Sequence, residues 1–139
     1  MKPILWGGFP IGASSAEVYE SIPESVKVLD GLRFSAALFD CEFEAALKFD
    51  DYGLSKVTLT LARPLVTLRF ADLRDQMVSA LMEKHGRGLK RHWSGDLYMK
   101  RWREPYVNID FLAVDSPTLP TVSVEYSKIA ITDAVIRYL

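Results

Sequence analysis

With 139 residues, of which 49% are apolar and 25% charged, the chain has the length and composition of one globular domain with one core. Its formal net charge of −1 argues against the whole molecule acting as an electrostatic partner of nucleic acid or anionic membrane. The single cysteine, Cys41, excludes an internal disulfide, and no apolar run approaches the roughly 20 residues of a membrane span. We expect one domain over residues 1–139 and a cytoplasmic protein, or an envelope protein if a leader has been removed.

The first predicted element is a short capped helix. Ser14 and Glu17 form a capping box, in which the Ser14 hydroxyl accepts from the Glu17 amide. Val18 and Ile22 give the helix one apolar face, and Pro23 ends it.

Three strands are predicted next, because apolar residues alternate with polar ones over residues 32–38, 43–49 and 57–61. Short turns at residues 39–41 and 50–53 join them into an antiparallel meander. One face of such a meander is apolar and needs a covering layer.

The long amphipathic helix predicted over residues 70–86 is the central element of the expected fold. Its apolar residues recur at steps of three and four, with Leu73, Met77 and Leu81 in the centre of the stripe. Gly86 suits the left-handed position after a helix, and Thr67 or Asp72 is expected to cap its start.

The second half repeats the order of the first, a helix followed by strands. Residues 89–93 and 97–102 predict a hairpin that turns at residues 94–96, and residues 107–113 and 122–126 alternate as two more strands. The tail, residues 129–139, is expected to leave the last strand near residue 130 and to end as a helix or docked at a sheet edge. The fold class predicted is α+β: one long amphipathic helix and one short capped helix on a mostly antiparallel sheet of about six strands.

Two motifs resemble those of a known group of proteins. The segment 8–18, GFPIGASSAEV, resembles the opening of small bacterial proteins of the BamE/SmpA and β-lactamase-inhibitor-like group, and the segment 49–54, FDDYGL, is similar to their hairpin. The resemblance implies a non-enzymatic α+β module that binds other proteins or joins envelope assemblies. The chain departs from that group because it has no lipobox cysteine, signal peptide or disulfide pair.

Motifs for catalysis, cofactor binding and metal binding are not found in the sequence. There is no His-Glu-x-x-His, Gly-x-Ser-x-Gly or zinc-type cysteine pair. The two histidines, His85 and His92, are expected to face solvent. We therefore predict no catalytic residues, no cofactor and no metal.

A local concentration of basic and aromatic residues marks the predicted hairpin after the long helix. The candidate interaction surface consists of Arg91, Trp93, Tyr98, Lys100, Arg101, Trp102 and Arg103. Three interpretations remain: a solvated hairpin whose rings pack at the edge of the core, a protein interface, because Trp, Tyr and Arg dominate binding hot spots, or a nucleic-acid surface.

The function expected from these patterns is a non-catalytic binding or assembly module that acts through contacts with another protein or by forming a homo-oligomer. One alternative is a small-molecule-binding or enzymatic pocket between helix and sheet, with the ligand unknown, lined by Phe34, Phe43, Met77 and Trp93. The other alternative is weak nucleic-acid binding through the hairpin, which the near-zero net charge disfavours.

Overall fold

An antiparallel sheet of eight strands forms the body of the molecule. The computed structural model describes residues 4–63, 68–118 and 120–129, with the backbone alone for residues 90–93. The strands of this sheet are β3 (Val26–Val28), β4 (Gly31–Leu38), β5 (Cys41–Asp50), β6 (Gly53–Leu61), β7 (Leu89–Ser94), β8 (Leu97–Glu104), β9 (Val107–Val114) and β10 (Thr121–Lys128). A two-stranded ribbon, β1 (Ile4–Trp6) and β2 (Phe9–Pro10), lies outside it.

The sheet consists of two meanders joined at their last strands. Its order is β3-β4-β5-β6-β10-β9-β8-β7, and β6 pairs antiparallel with β10 through partners such as Leu59 and Val124. Each meander follows one helix, so the two halves have the same element order, and their strands run outward from the central pair β6 and β10. The order predicted from the sequence, a helix followed by strands in each half, matches this arrangement, but the first half has four strands where three were predicted.

One face of the sheet is the core, and the other is open. The alternating residues of β5, β6, β9 and β10 that face the core are almost completely buried; they include Phe43, Leu47, Val57, Ile109, Phe111 and Val124. The cover consists of helix α1 (Ser15–Ser21) against β4, the first ribbon strand against β6 and β10, and helix α2 (Phe70–His85) against β8. The opposite face carries mainly polar and charged side chains, with an apolar group on β8 and β9 formed by Leu97, Met99, Leu112 and Val114.

The two helices begin and end largely where the sequence predicts. Ser14 caps α1 and accepts from the Glu17 amide at 3.1 Å. Leu73, Met77 and Leu81 are the buried stripe of α2, and Gly86 ends it with a φ of 90°. The start of α2 differs from the expectation, because Arg69 occupies the cap position without a side-chain hydrogen bond and Asp72 lies inside the first turn; Thr67 is outside the described residues.

The predicted fold class is wrong. Strands make up about half of the structure and helices about a fifth, so the architecture is that of a large sheet with partial helical cover and not of a long helix on six strands. The sequence analysis missed the short strands β1, β2 and β3, which have only two or three residues and hence too few positions for alternation to register. The helices, of 7 and 16 residues, cannot cover eight strands, and the ribbon covers the middle. The tail from residue 130 lies outside the described residues.

Candidate functional site

The two aromatic rings of strand β8 in the basic-aromatic hairpin do not face solvent. Tyr98 and Trp102 lie on the core face of β8, with exposed fractions of 8% and 1%. The Trp102 indole donates from Nε1 to the carbonyl oxygen of Gly86 at 2.8 Å, which fastens the end of α2 to the sheet. Nucleic-acid bases cannot stack on rings in these positions.

The cations of the hairpin are divided between the two faces. Lys100 lies on the core face at its margin, with its ammonium 5.6 Å from the Trp102 ring centroid. Arg101, on the open face, donates from Nε and a terminal nitrogen to the Asp110 carboxylate at 2.6 and 3.0 Å, and this hydrogen bonding raises the pKa of its guanidinium. Arg103, also on the open face, donates from Nε to the Asn108 side chain at 3.1 Å.

The candidate surface named from the sequence is therefore divided. Its two described rings, Tyr98 and Trp102, are inside the core. Of its described cations, Arg101 and Arg103 bind side chains on the open face, and Lys100 lies against the Trp102 ring. The side chains of Arg91 and Trp93 lie outside the described part of the structure.

The residues named for a pocket between helix and sheet have different surroundings in the structure. Phe43 and Met77 belong to the packed core. Phe34 packs against the Trp6 ring at a centroid distance of 6.0 Å, and the side chain of Trp93 is outside the described residues.

His85 is a feature that the sequence analysis missed. It was expected to face solvent, but its side chain is only 11% exposed, and its Nδ1 lies 3.0 Å from Oε1 of Glu104. The two residues are 19 positions apart, and they meet because the end of α2 lies beside the end of β8. No local sequence signal marks such a pair.

A free sheet edge is the most distinctive surface of the fold. Strand β3 pairs with β4 only through Gly31, Leu32 and Arg33. Beyond Arg33, the outer side of β4 from Phe34 to Leu38 has no pairing partner among the described residues.

The phase of the β4–β5 ladder shows which backbone groups point outward from this edge. The two-residue turn Phe39–Asp40 has φ values of 53° and 60°, as in a type I′ hairpin, so Leu38 and Cys41 form the closing hydrogen-bonded pair. Hydrogen-bonded pairs alternate along an antiparallel ladder, so Ser35 and Ala37 turn their N–H and C=O groups away from β5. These four groups line the free edge.

The side chains of this edge segment offer no obstacle to a further strand. Residues 34–38 are Phe-Ser-Ala-Ala-Leu, with no charge, no proline and no glycine, and Ser35 and Ala37 are exposed. Proteins usually protect sheet edges with charge, proline or bulges. The opposite edge, β7, has two of these protective features. Its sequence includes the charged residues Lys90 and Arg91, and its pairing with β8 has a bulge between Lys90 and His92.

Comparison with protein-family models, curated proteins and solved structures finds no match for this chain. The likeness to BamE/SmpA-like proteins thus stays an expectation from two short motifs. No helix in the described ranges has the length and apolar character needed to cross a lipid bilayer.

Proposed function

We propose that this protein is a non-catalytic assembly module that self-associates by antiparallel pairing of β4 with β4 of a second copy. The observation that supports the proposal is the unpaired, uncharged segment from Phe34 to Leu38 at the sheet edge. Addition of a strand to such an edge is a recurring mode of protein recognition, in which main-chain hydrogen bonds supply the affinity.

The occupant is a second copy because the segment is complementary to itself. A two-fold axis through Ala36 places Ser35 of each copy opposite Ala37 of the other, and these are the residues whose backbone groups point outward. Like charges directly opposite one another would destabilise a strand pair, and this register places none there. In the same register Phe34 of each copy falls opposite Leu38 of the other, so apolar contacts flank the hydrogen-bonded pairs. The shared ladder ends there, because the next position on β4 of either copy, Arg33, already pairs with Val26 of its own chain.

The expected affinity is modest. The register supplies about four intermolecular hydrogen bonds, each contributing about 0.5–1.5 kcal/mol in net terms. Association costs about 4–15 kcal/mol in lost translational and rotational freedom, so the apolar contacts must supply the rest. We therefore expect an equilibrium between monomer and dimer whose dimer fraction rises with protein concentration.

The test is Ala37→Pro, assayed by light scattering over a concentration series. Proline removes an N–H that pairs with none of the described residues of its own chain, and edge positions of this kind tolerate proline. The monomer is expected to stay folded while the dimer is lost. The matched control is Ala37→Val, which keeps the N–H and improves strand propensity, and is expected to dimerise at least as well as the parent chain.

A second measurement keeps the test decisive if the proline variant does not fold. In the parent chain, the amide protons of Ser35 and Ala37 are expected to exchange more slowly as protein concentration rises. A parent chain that stays monomeric at high concentration, or a dimer that Ala37→Pro leaves intact while folded, would refute the proposal.

A further inference from the structure

A cavity of about 500 Å³ lies at the end of α2. Its walls come from the β1–β2 ribbon, the last turn of α2, the β8–β9 turn and β10. Large apolar and aromatic side chains of the wall keep surface in contact with solvent: Ile4 is exposed at 53%, Tyr106 at 57%, and Trp6 is half-buried. Such side chains around a concavity are typical of a surface that other apolar groups cover.

The wall of this cavity also carries one charge of each sign. Lys84, in the last turn of α2, is exposed, and the side chain of Glu104, at the end of β8, is exposed at 41%. One Glu104 oxygen lies 3.0 Å from His85, and the other can accept from a second donor. Because a charge that is covered without a partner is costly, an occupant of the cavity has to combine apolar side chains with charges of both signs.

Strand β10 leads the chain to the rim of this cavity. Directly after the strand, the Ile129 N–H donates to the carbonyl oxygen of Tyr106 at 2.9 Å, and Tyr106 is one of the wall residues. Four further residues of extended chain reach about 13 Å, which exceeds the roughly 10 Å width of a sphere with the volume of this cavity. The segment that follows Ile129 therefore starts at the cavity and is long enough to fill it.

The sequence of this following segment, residues 130–139, has the composition that the cavity requires. It reads AITDAVIRYL, and its two charged side chains, Asp133 and Arg137, have opposite signs. They match the charges on the wall, since Asp133 is opposite in sign to Lys84 and Arg137 is opposite in sign to Glu104. Most of the other residues are apolar and gain free energy when they leave water.

We propose that the cavity at the end of α2 is the docking site of the chain's own segment 130–139, with Ile131 and Val135 against Trp6 and Ile4. The covalent connection favours this occupant over a separate peptide, because a short tether gives an effective concentration on the order of millimolar. The inference does not depend on the assembly proposed above, since no residue of β4 lines the cavity.

The test is an NMR measurement of nuclear Overhauser effects in the full chain with labelled methyl groups. Cross-peaks are expected between the methyl protons of Ile131 and Val135 and the ring protons of Trp6. A mixture of labelled and unlabelled chains tells a segment of the same chain from that of a second copy. Cross-peaks within one copy support the proposal, whereas cross-peaks between copies alone, or none at all, overturn it.

A double variant, Ile131→Ser with Val135→Ser, supplies a second measurement on the Trp6 side of the contact. With 5-fluorotryptophan in place of tryptophan, the fluorine resonance of Trp6 is assigned through Trp6→Phe. Loss of the two apolar side chains is expected to lower the ratio of docked to undocked segment by about tenfold or more, which moves this resonance. The matched control, Leu29→Ser, removes an apolar side chain that is 98% exposed and does not line the cavity, and it should leave the resonance in place. A double variant with the Trp6 resonance of the parent chain overturns the proposal.

Discussion

Gly53 offers a sharp test of how the N-terminal segment is fastened to the sheet. A Cβ at this position would lie 2.3 Å from the Gly12 carbonyl oxygen and 2.8 Å from that of Ala13, and φ is +100°. The close approach serves two backbone hydrogen bonds, from the Gly12 N–H to the Leu54 oxygen at 3.0 Å and from the Leu54 N–H to the Ala13 oxygen at 2.8 Å.

Gly53→Ala should therefore incur two separate costs. The backbone conformation costs a residue with a side chain about 1–3 kcal/mol. The collision is with backbone, which cannot rotate away, so the segment must shift and both hydrogen bonds weaken, at about 0.5–1.5 kcal/mol each. We expect a total loss of about 2–6 kcal/mol in the free energy of unfolding.

The matched control is Gly86→Ala. Gly86 has a similar φ of +90°, but a Cβ there would meet nothing within 4 Å. Its substitution carries the conformational cost alone, so urea unfolding should show Gly53→Ala to be less stable by about 1–3 kcal/mol. Equal losses in the two variants would refute the reasoning, because the contact with residues 12 and 13 would then contribute nothing.

Three further predictions concern the core and two ionisable groups. Leu81→Ala should lower the free energy of unfolding by about 2–5 kcal/mol, measured in urea, because Leu81 is on the buried side of α2; the same change at the more exposed Met82 should cost much less. Burial raises the pKa of Tyr126 in the folded chain to about 12, against an ordinary value of 10. The folded state therefore loses about 3 kcal/mol of stability as pH rises from 10 to 12, and none below pH 10. In Tyr126→Phe, which cannot ionise, this fall in stability should be absent. A hydrogen bond from Lys128 lowers the folded pKa of Asp50 below 3.8, so the small stability advantage over Lys128→Ala should be present above that pH and shrink as pH falls below it.

The sequence by itself determined most of the local structure. The capping box at Ser14, the stripe through Leu73 and Leu81, and the alternation in the longer strands are consequences of periods of 3.6 and 2, which a linear pattern records directly. The order of elements in the two halves was also visible, because it needs no knowledge of which strands pair.

Only the tertiary structure decided how these elements form one surface. The pairing of β6 with β10 joins residues more than 60 positions apart, and no local pattern specifies it. Alternation separated Tyr98 and Trp102 from Arg101 but did not say which face is covered, so rings assigned to a binding surface lie in the core. The free edge of β4 and the meeting of His85 with Glu104 likewise depend on which neighbour a strand or helix end has in space. Hydrophobic periodicity fixes the face that a residue occupies, whereas long-range packing fixes what that face meets.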